Sequence, residues 1–350
     1  MKPYDIAKPL LFRLPAETAH SIGHTALQFA QQTPLRRLLQ ARYTVSDDRL
    51  RTDAFGQEFP NPVGVAAGFD KNAEIPSGLA ALGFGSVEVG GVTAQPQRGN
   101  ARPRMFRLRE DEAVINRMGL NNHGAAVVGR RLLRTDVAVP VGVNIAKSEH
   151  VDPDAAPSDY VATYERVAEG ADFFVVNVSC PNSQGFEELQ NRESMAAIFE
   201  ALGDAGASPL LIKLSPDLPE PAMADALGIV EEFDLDGVVA TNTSTERPAS
   251  LRSPSRTEGG GLSGKPIERQ ATETVRFVAE RVDVPVVGVG GVSTAEDAYR
   301  KIRAGASLVQ LYTGLIYRGP SIARDINRGL LELLERDGFE SVSDAVGADL

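Results

Sequence analysis

From about residue 61 the chain alternates, eight times over, between a short run of apolar and β-branched residues and a longer stretch with helical spacing. The apolar runs cover residues 62–68, 86–93, 140–146, 173–179, 210–215, 237–243, 285–290 and 307–313. They are apolar nearly throughout, without a polar residue at every second position, which is the pattern of parallel strands buried on both faces. Each run is followed by a Gly, Asn or Ser cluster and then by a helical candidate, at 72–82, 122–134, 157–169, 192–205, 219–233, 266–281, 294–304 and 320–336. Eight strand–helix units in series predict a closed (β/α)8 TIM barrel. An open, doubly wound sheet is the alternative.

Three segments fall outside the repeat. Residues 94–116 form a long insertion after the second strand, rich in Arg and Pro, and insertions of this length are usually functional. Residues 1–45 precede the barrel and predict two short helices. Ile22, Ala26, Phe29 and Ala30 share one helical face, and Leu35, Leu38 and Leu39 continue an apolar surface after Pro34. The last stretch, 338–350, is acidic and poor in bulky residues. The expected division is a helical extension over 1–45, the barrel over 46–337, and a poorly ordered tail over 338–350.

Composition narrows the partners. The net charge of −11 argues against a nucleic-acid surface, which needs a basic stripe. The chain holds 7 Lys, so 29 of its 36 basic residues are Arg, against 47 acidic ones. Such an acidic, Lys-poor surface suits either a salt-loving source or a GC-rich genome. A single cysteine, Cys180, excludes internal disulfides. No apolar run reaches the eighteen or so residues of a membrane span, no secretory signal is visible, and no metal site is expected.

In a TIM barrel the chemistry sits at the C-terminal ends of the strands, and the unusual residues cluster there. The first strand runs into Ala66-Ala67-Gly68-Phe69-Asp70-Lys71, small residues for close approach to a flat ligand and then a cation. The fourth ends Asn177-Val178-Ser179-Cys180-Pro181-Asn182, two amides and a thiol. The fifth carries Lys213 between Ile212 and Leu214, and a lysine buried there needs an anionic partner. The sixth ends Thr241-Asn242-Thr243. Each residue taken singly has a bland reading, as turn former, solvated cation or apolar filler. Four strands ending this way point to a polar site for two ligands. Gly288-Val289-Gly290-Gly291 and Tyr312-Thr313-Gly314 end strands seven and eight, the usual phosphate grip of this fold, with a glycine-rich loop at 259–264 just before.

Asn116-Arg117-Met118-Gly119-Leu120-Asn121-Asn122, the run 177–182, Ala240-Thr241-Asn242-Thr243, Gly261-Leu262-Ser263-Gly264 and the run 305–314 together resemble the dihydroorotate dehydrogenase family in order and spacing. The likeness covers residues 5–335. The leading segment, with Ala16-Glu17-Thr18-Ala19-His20, is similar to the N-terminal extension of the quinone-reducing, membrane-associated class. This resemblance implies oxidation of dihydroorotate to orotate with FMN, in de novo pyrimidine biosynthesis. It assigns Ala67, Gly68, Phe69, Asp70, Lys71, Gly91, Asn144, Asn177, Lys213, Thr241, Gly264, Gly291, Tyr312 and Thr313 to FMN, with Lys213 near the N1–C2 edge of the ring. It assigns Lys71, Asn116, Arg117, Met118, Gly119, Leu120, Asn177, Asn182, Asn242 and Thr243 to the pyrimidine and its carboxylate.

Cys180 falls at the position of the catalytic base, where the quinone-reducing class usually carries Ser and the soluble classes Cys. Gly91 stands where a Thr is expected. A thiol titrates near about 8.5, so it is a better base at neutral pH than a hydroxyl. The implied acceptor is a membrane quinone entering beneath the N-terminal helices, with His20 and Arg107 for its carbonyls, on a protein held peripherally at the cytoplasmic face of the cell membrane. Alternatives are the same half-reaction with soluble fumarate or NAD, favoured by Cys180, a tRNA-reducing flavin barrel, disfavoured by the charge, and a phosphate-binding barrel without catalysis.

Overall fold

Strands that bury both faces need every side chain to be apolar, small or internally partnered, and the apolar runs meet that demand. In the computed structural model, which describes residues 3–178, 189 and 191–350, they form β1 (Val63–Val65), β2 (Ser86–Val92), β3 (Val141–Ala146), β4 (Phe173–Asn177), β5 (Leu210–Leu214), β6 (Gly237–Ala240), β7 (Val286–Val289) and β8 (Ala306–Leu311). Every residue of β2 to β7 is buried. Each strand pairs in parallel with its neighbours in sequence. The ring closes where Val309, Gln310 and Leu311 of β8 face Val63, Gly64 and Val65 of β1. The fold is the (β/α)8 barrel, and closure removes the open-sheet alternative.

The outer helices each bury one stripe. In Glu268–Ala279 the buried positions are Ala271, Thr274, Val275 and Val278, the spacing of one helical face. The N-terminal end of the barrel is plugged. A hairpin of Thr52–Ala54 and Gln57–Phe59 lays Phe55 and Phe59 against Phe173, with ring centroids 5.6 and 6.3 Å away. The opposite end stays open for a ligand. The insertion supplies Met105–Leu108 and Ala113–Asn116, which join Gly261–Gly264 in a three-stranded antiparallel sheet beside that mouth.

Two expectations need correction. The extension holds three helices, α1 (Pro3–Leu11), α2 (Ala16–Gln31) and α3 (Leu35–Tyr43), and not two. The unexpected α1 is tied down by the Tyr4 hydroxyl, which donates to Ile316 O at 2.6 Å, and by Lys8 Nζ, which donates to Tyr317 O at 3.0 Å. The tail is ordered. Ser341 and Asp344 make a capping box for Val342–Ala345, whose Val342 and Ala345 are fully buried, and Asp349 accepts from Arg303 Nε at 3.0 Å. Small apolar residues three apart suffice to seat one turn, and one arginine satisfies the acidic end.

Candidate functional site

The lysine set in an apolar strand has its anion. Lys213 Nζ lies 3.3 Å from Glu88 Oε1, on β2 across the barrel, with Glu88 wholly buried and Lys213 5% exposed. Glu88 Oε1 also accepts from Asn144 Nδ2 at 2.8 Å, and its Oε2 accepts from Gln310 Nε2 at 2.8 Å. Asn144 Oδ1 accepts from Asn177 Nδ2 at 3.2 Å, and Asn177 Oδ1 from Asn242 Nδ2 at 3.4 Å. A line of amides therefore runs from the buried carboxylate to the barrel mouth. Charges this deep persist when paired and hydrogen-bonded. Sequence reasoning missed Glu88, although it shows the same anomaly as Lys213: one charge inside an apolar run.

This line borders a cavity of about 1250 Å³, counting its open mouth. Of the positions expected to hold FMN, Ala67, Gly68, Lys71, Gly91, Asn144, Asn177, Lys213, Thr241, Gly264, Gly291, Tyr312 and Thr313 line it. Of those expected to hold the pyrimidine, Asn116, Met118, Gly119, Leu120, Asn242 and Thr243 line it too. Lys71 Nζ donates to Gly119 O at 3.4 Å and so sits beside the 116–120 loop. Cys180 and Asn182 lie outside the described residues.

Three expected contacts point elsewhere. Arg117 turns from the cavity, donates to Glu258 Oε2 at 2.8 Å and stacks over Phe106 at 4.5 Å. Asp70 is wholly buried and folds its own turn, accepting the backbone N–H groups of Asn72, Glu74 and Ile75 at 3.1, 3.0 and 2.7 Å. Phe69 packs edge-on against Tyr312, centroids 5.4 Å apart, and faces a second cavity. Adjacent loop residues point to different sides, which spacing alone does not reveal.

The residues at the mouth fit FMN. Ala66, Leu120, Val289 and Leu311 give apolar walls for a flat ring, and Lys213, Asn144 and Thr241 give it a polar edge. At the far end the backbone closes in. Gly291 has φ +76°, and a Cβ there would fall 2.3 Å from Glu268 Cβ. Gly264 has φ +98°, and its Cβ would fall 2.5 Å from Glu112 O. Only glycine suits both positions. Lys265 and the glycines at 290, 291 and 314 line this end, a cation and bare backbone suited to a phosphate. Burial raises the Tyr312 hydroxyl above its ordinary value, so it stays protonated.

The second cavity is apolar and lies under the N-terminal helices. Leu11, Phe12, Ala19, Ala26, Leu27 and Leu35 line it from the extension, and Phe69, Leu82, Leu315 and Ile316 from the barrel. His20 and Arg107 are in its wall. Arg107 Nη1 donates to Leu11 O at 3.2 Å and Nη2 to Leu14 O, so its guanidinium fastens the turn after α1. The His20 ring packs edge-on against Phe69, centroids 5.0 Å apart. Burial, helped by His24 and Lys71, holds His20 down to about 4. Met105 lines both cavities, which share a wall of Met105, Phe69 and Tyr312.

Comparison with known proteins agrees with this layout. The sequence model of the family described as dihydroorotate dehydrogenase matches residues 49–334. A protein of Haloarcula marismortui named dihydroorotate dehydrogenase (quinone) is 73% identical over 350 residues, covering all of both chains. One of the same name from Natronomonas pharaonis is 65% identical, covering 99% of each. The crystal structure of DHODH from Eimeria tenella in complex with ferulenol superposes with a TM-score of 0.86 at 36% identity, covering 94% of this chain and 95% of that one.

Proposed function

The chain belongs to the dihydroorotate dehydrogenase family, and on that premise we propose how its residues divide between two half-reactions. The protein oxidises dihydroorotate to orotate with FMN as prosthetic group and a quinone as electron acceptor, a step of de novo pyrimidine biosynthesis. When bound, FMN would supply the hydride acceptor for C6 of the substrate and the electron carrier to the quinone. The observation that carries the division is the shared wall. A polar, glycine-ended cavity and an apolar one meet at Met105, Phe69 and Tyr312.

On the polar side, Lys71 holds the substrate carboxylate, and Asn116, Asn177 and Asn242, with Asn182 from outside the described residues, read the alternating carbonyl and N–H edges of the ring. The backbone at Met118–Leu120 covers it. Cys180 removes the C5 proton. Lys213, kept in place by Glu88, would meet the flavin edge where negative charge gathers on reduction. Ala67, Gly68, Gly91, Asn144, Thr241, Gly264, Gly291, Tyr312 and Thr313 complete the flavin cradle.

On the apolar side the quinone headgroup enters past α1–α3 and stops near His20 and Arg107. Ile6, Leu10, Phe29 and Leu38 of these helices are each about two-thirds exposed, with Ile22 and Leu35 partly so. Apolar side chains this exposed on one face suit a lipid surface. None of the described helices is long and apolar enough to cross a membrane; the exposed apolar side chains support the reading that attachment is peripheral, at the cytoplasmic face of the cell membrane. The test is anaerobic reduction by dihydroorotate, followed by mixing with quinone, fumarate or NAD in parallel. Rapid reoxidation by quinone alone is expected. Equal or faster reoxidation by fumarate or NAD would overturn the acceptor assignment.

A further inference from the structure

Reducing a quinone to a quinol takes two electrons and two protons. The substrate gives up hydride, which is two electrons and one proton, toward the flavin, while its C5 proton leaves on the barrel-mouth side. At least one proton must therefore reach the quinone from solvent on the tunnel side. The tunnel lining is mostly apolar, and few of its groups can carry a proton.

His20 is the imidazole in the tunnel wall, which also holds the phenols of Tyr4 and Tyr43 and the Arg107 guanidinium. One helical turn along α2 stands His24, with ring centroids 5.9 Å apart. His24 does not line the tunnel; its side chain is 15% exposed, behind His20. Its Nε2 lies 3.7 Å from Glu74 Oε2 and 3.9 Å from Asp70 Oδ1. The two carboxylates differ in what they can do. Asp70 is fully buried and its oxygens hold three backbone N–H groups, so it anchors the turn. The Glu74 side chain is 22% exposed, so it reaches solvent. Its Oε1 meets Arg131 Nη2 at 3.1 Å and lies 3.9 Å from Nδ1 of His123, a ring that is half exposed.

We propose that Glu74 and His24 form a proton route from solvent to His20, and that His20 delivers the proton to the quinone oxygen. The inference rests on the quinone reading above. In each transfer an N–H or O–H bond breaks on the donor as one forms on the acceptor, and the last bond formed is the quinol O–H. Each gap is one that a bridging water or a side-chain rotation spans. His20 suits the inner post because burial keeps its ring neutral. A neutral imidazole donates from one nitrogen and accepts on the other, so it can release a proton to the quinone while receiving one from His24. The charged groups around the line are Glu17 on α2, Asp70 and Lys71 after β1, and Arg131 with His123 beside Glu74.

His24 and Glu74 act through His20, so the test needs a readout that structural damage would not mimic. Full-length, FMN-loaded wild type, His24→Leu and Glu74→Gln are reduced anaerobically with dihydroorotate. Each is then mixed in a stopped-flow instrument with a short-tailed ubiquinone analogue, or with ferricyanide, which takes electrons but no proton. In His24→Leu, quinone reoxidation is expected to slow by a factor on the order of 10–10². The loss should deepen with rising pH, carry an enlarged solvent isotope effect and be partly relieved by added imidazole. Glu74→Gln should show a smaller loss of the same kind. Ferricyanide reoxidation and reduction by dihydroorotate should stay within a few-fold of wild type. Wild-type quinone rates and pH profile in both variants would overturn the route, as would equal slowing with ferricyanide. If wild type itself failed to reduce quinone while reducing fumarate or NAD, the acceptor reading would fall and take the route with it.

Discussion

Glu88→Gln isolates the contribution of the buried carboxylate beneath the site, because it removes the charge and keeps the volume. At 3.3 Å from Lys213 Nζ, the attraction is about 5 kcal/mol at an effective dielectric of about 20. Stripping one partner from a buried pair typically costs about 3–5 kcal/mol, since the remaining charge loses its compensation. The new amide also faces donors at both ends, Asn144 Nδ2 and Lys213 Nζ where Oε1 stood and Gln310 Nε2 where Oε2 stood, so its NH2 group meets least opposition on the Gln310 side. Relief comes from Gln310, whose buried Oε1 has no hydrogen-bond partner. Turning that amide over presents the oxygen to the new NH2 group and recovers about 1 kcal/mol. The expected net loss is about 3 kcal/mol, read as a lower urea midpoint at fixed excess FMN. Replacing Lys213 by Met in the same chain removes the stranded charge, and the double variant should regain about half the loss. A single variant within about 0.5 kcal/mol of wild type, or a double variant no more stable than the single, would refute the reasoning.

Cys180→Ala should keep its FMN and bind orotate, but bleach with dihydroorotate slower by a factor on the order of 10²–10⁴, whereas Cys180→Ser should retain activity with its optimum moved to higher pH. Full-speed bleaching of the alanine variant removes Cys180 as base. Burial pushes the fully buried Lys301 down to about 8 from its ordinary value of 10.5, so the fold disfavours its charged form. That penalty, about 3 kcal/mol, is complete below pH 8 and fades as pH rises to 10.5, because over this window the unfolded chain binds the extra proton. Lys301→Met should therefore gain stability relative to wild type at pH 7, less the bond to Thr272 Oγ1 at 2.7 Å, and lose that advantage by pH 10.5. A pH-independent difference in urea midpoint would contradict it. Deleting residues 1–42 should abolish reoxidation by a long-chain quinone and weaken vesicle binding, with bleaching by dihydroorotate within a few-fold of the intact protein. Undiminished quinone turnover would reduce the helices to packing.

The barrel was legible because burial on both faces leaves a signature that needs no partner to be read. Each run is apolar by itself, and the eightfold count points to closure, which the pairing of β8 with β1 completes. Strand-end amides were legible for the same reason, as polar residues at the edge of an apolar run. What escaped depends on pairing or direction. Glu88 and Lys213 are 125 residues apart, and no local pattern joins them, though each is an oddity in its own strand. Phe69, Asp70 and Lys71 are consecutive, yet one faces the tunnel, one caps a turn and one lines the barrel mouth. Arg117 was placed with its loop, but its long side chain reaches Glu258. The order of the tail and the presence of α1 rest on slots offered by distant elements, which the local sequence does not announce.

Cys180 and the quinone reading pulled in opposite directions in the sequence, and the relatives decide for the quinone. The proposed base follows β4 in the sequence, just beyond Asn177, which lines the polar cavity. The other side of the shared wall is built from α1–α3, the apolar lining from Leu11 to Ile316, and His20 with His24 behind it, and we propose that these select the acceptor. A change of base alters how readily the C5 proton leaves and at what pH, and leaves the tunnel untouched. Filling or opening the tunnel changes which oxidant can approach, and leaves the proton abstraction untouched. Relatives that match this chain over its full length, N-terminal helices included, carry the quinone name. On this reading the N-terminal extension, and not the identity of the proposed base, marks the quinone acceptor.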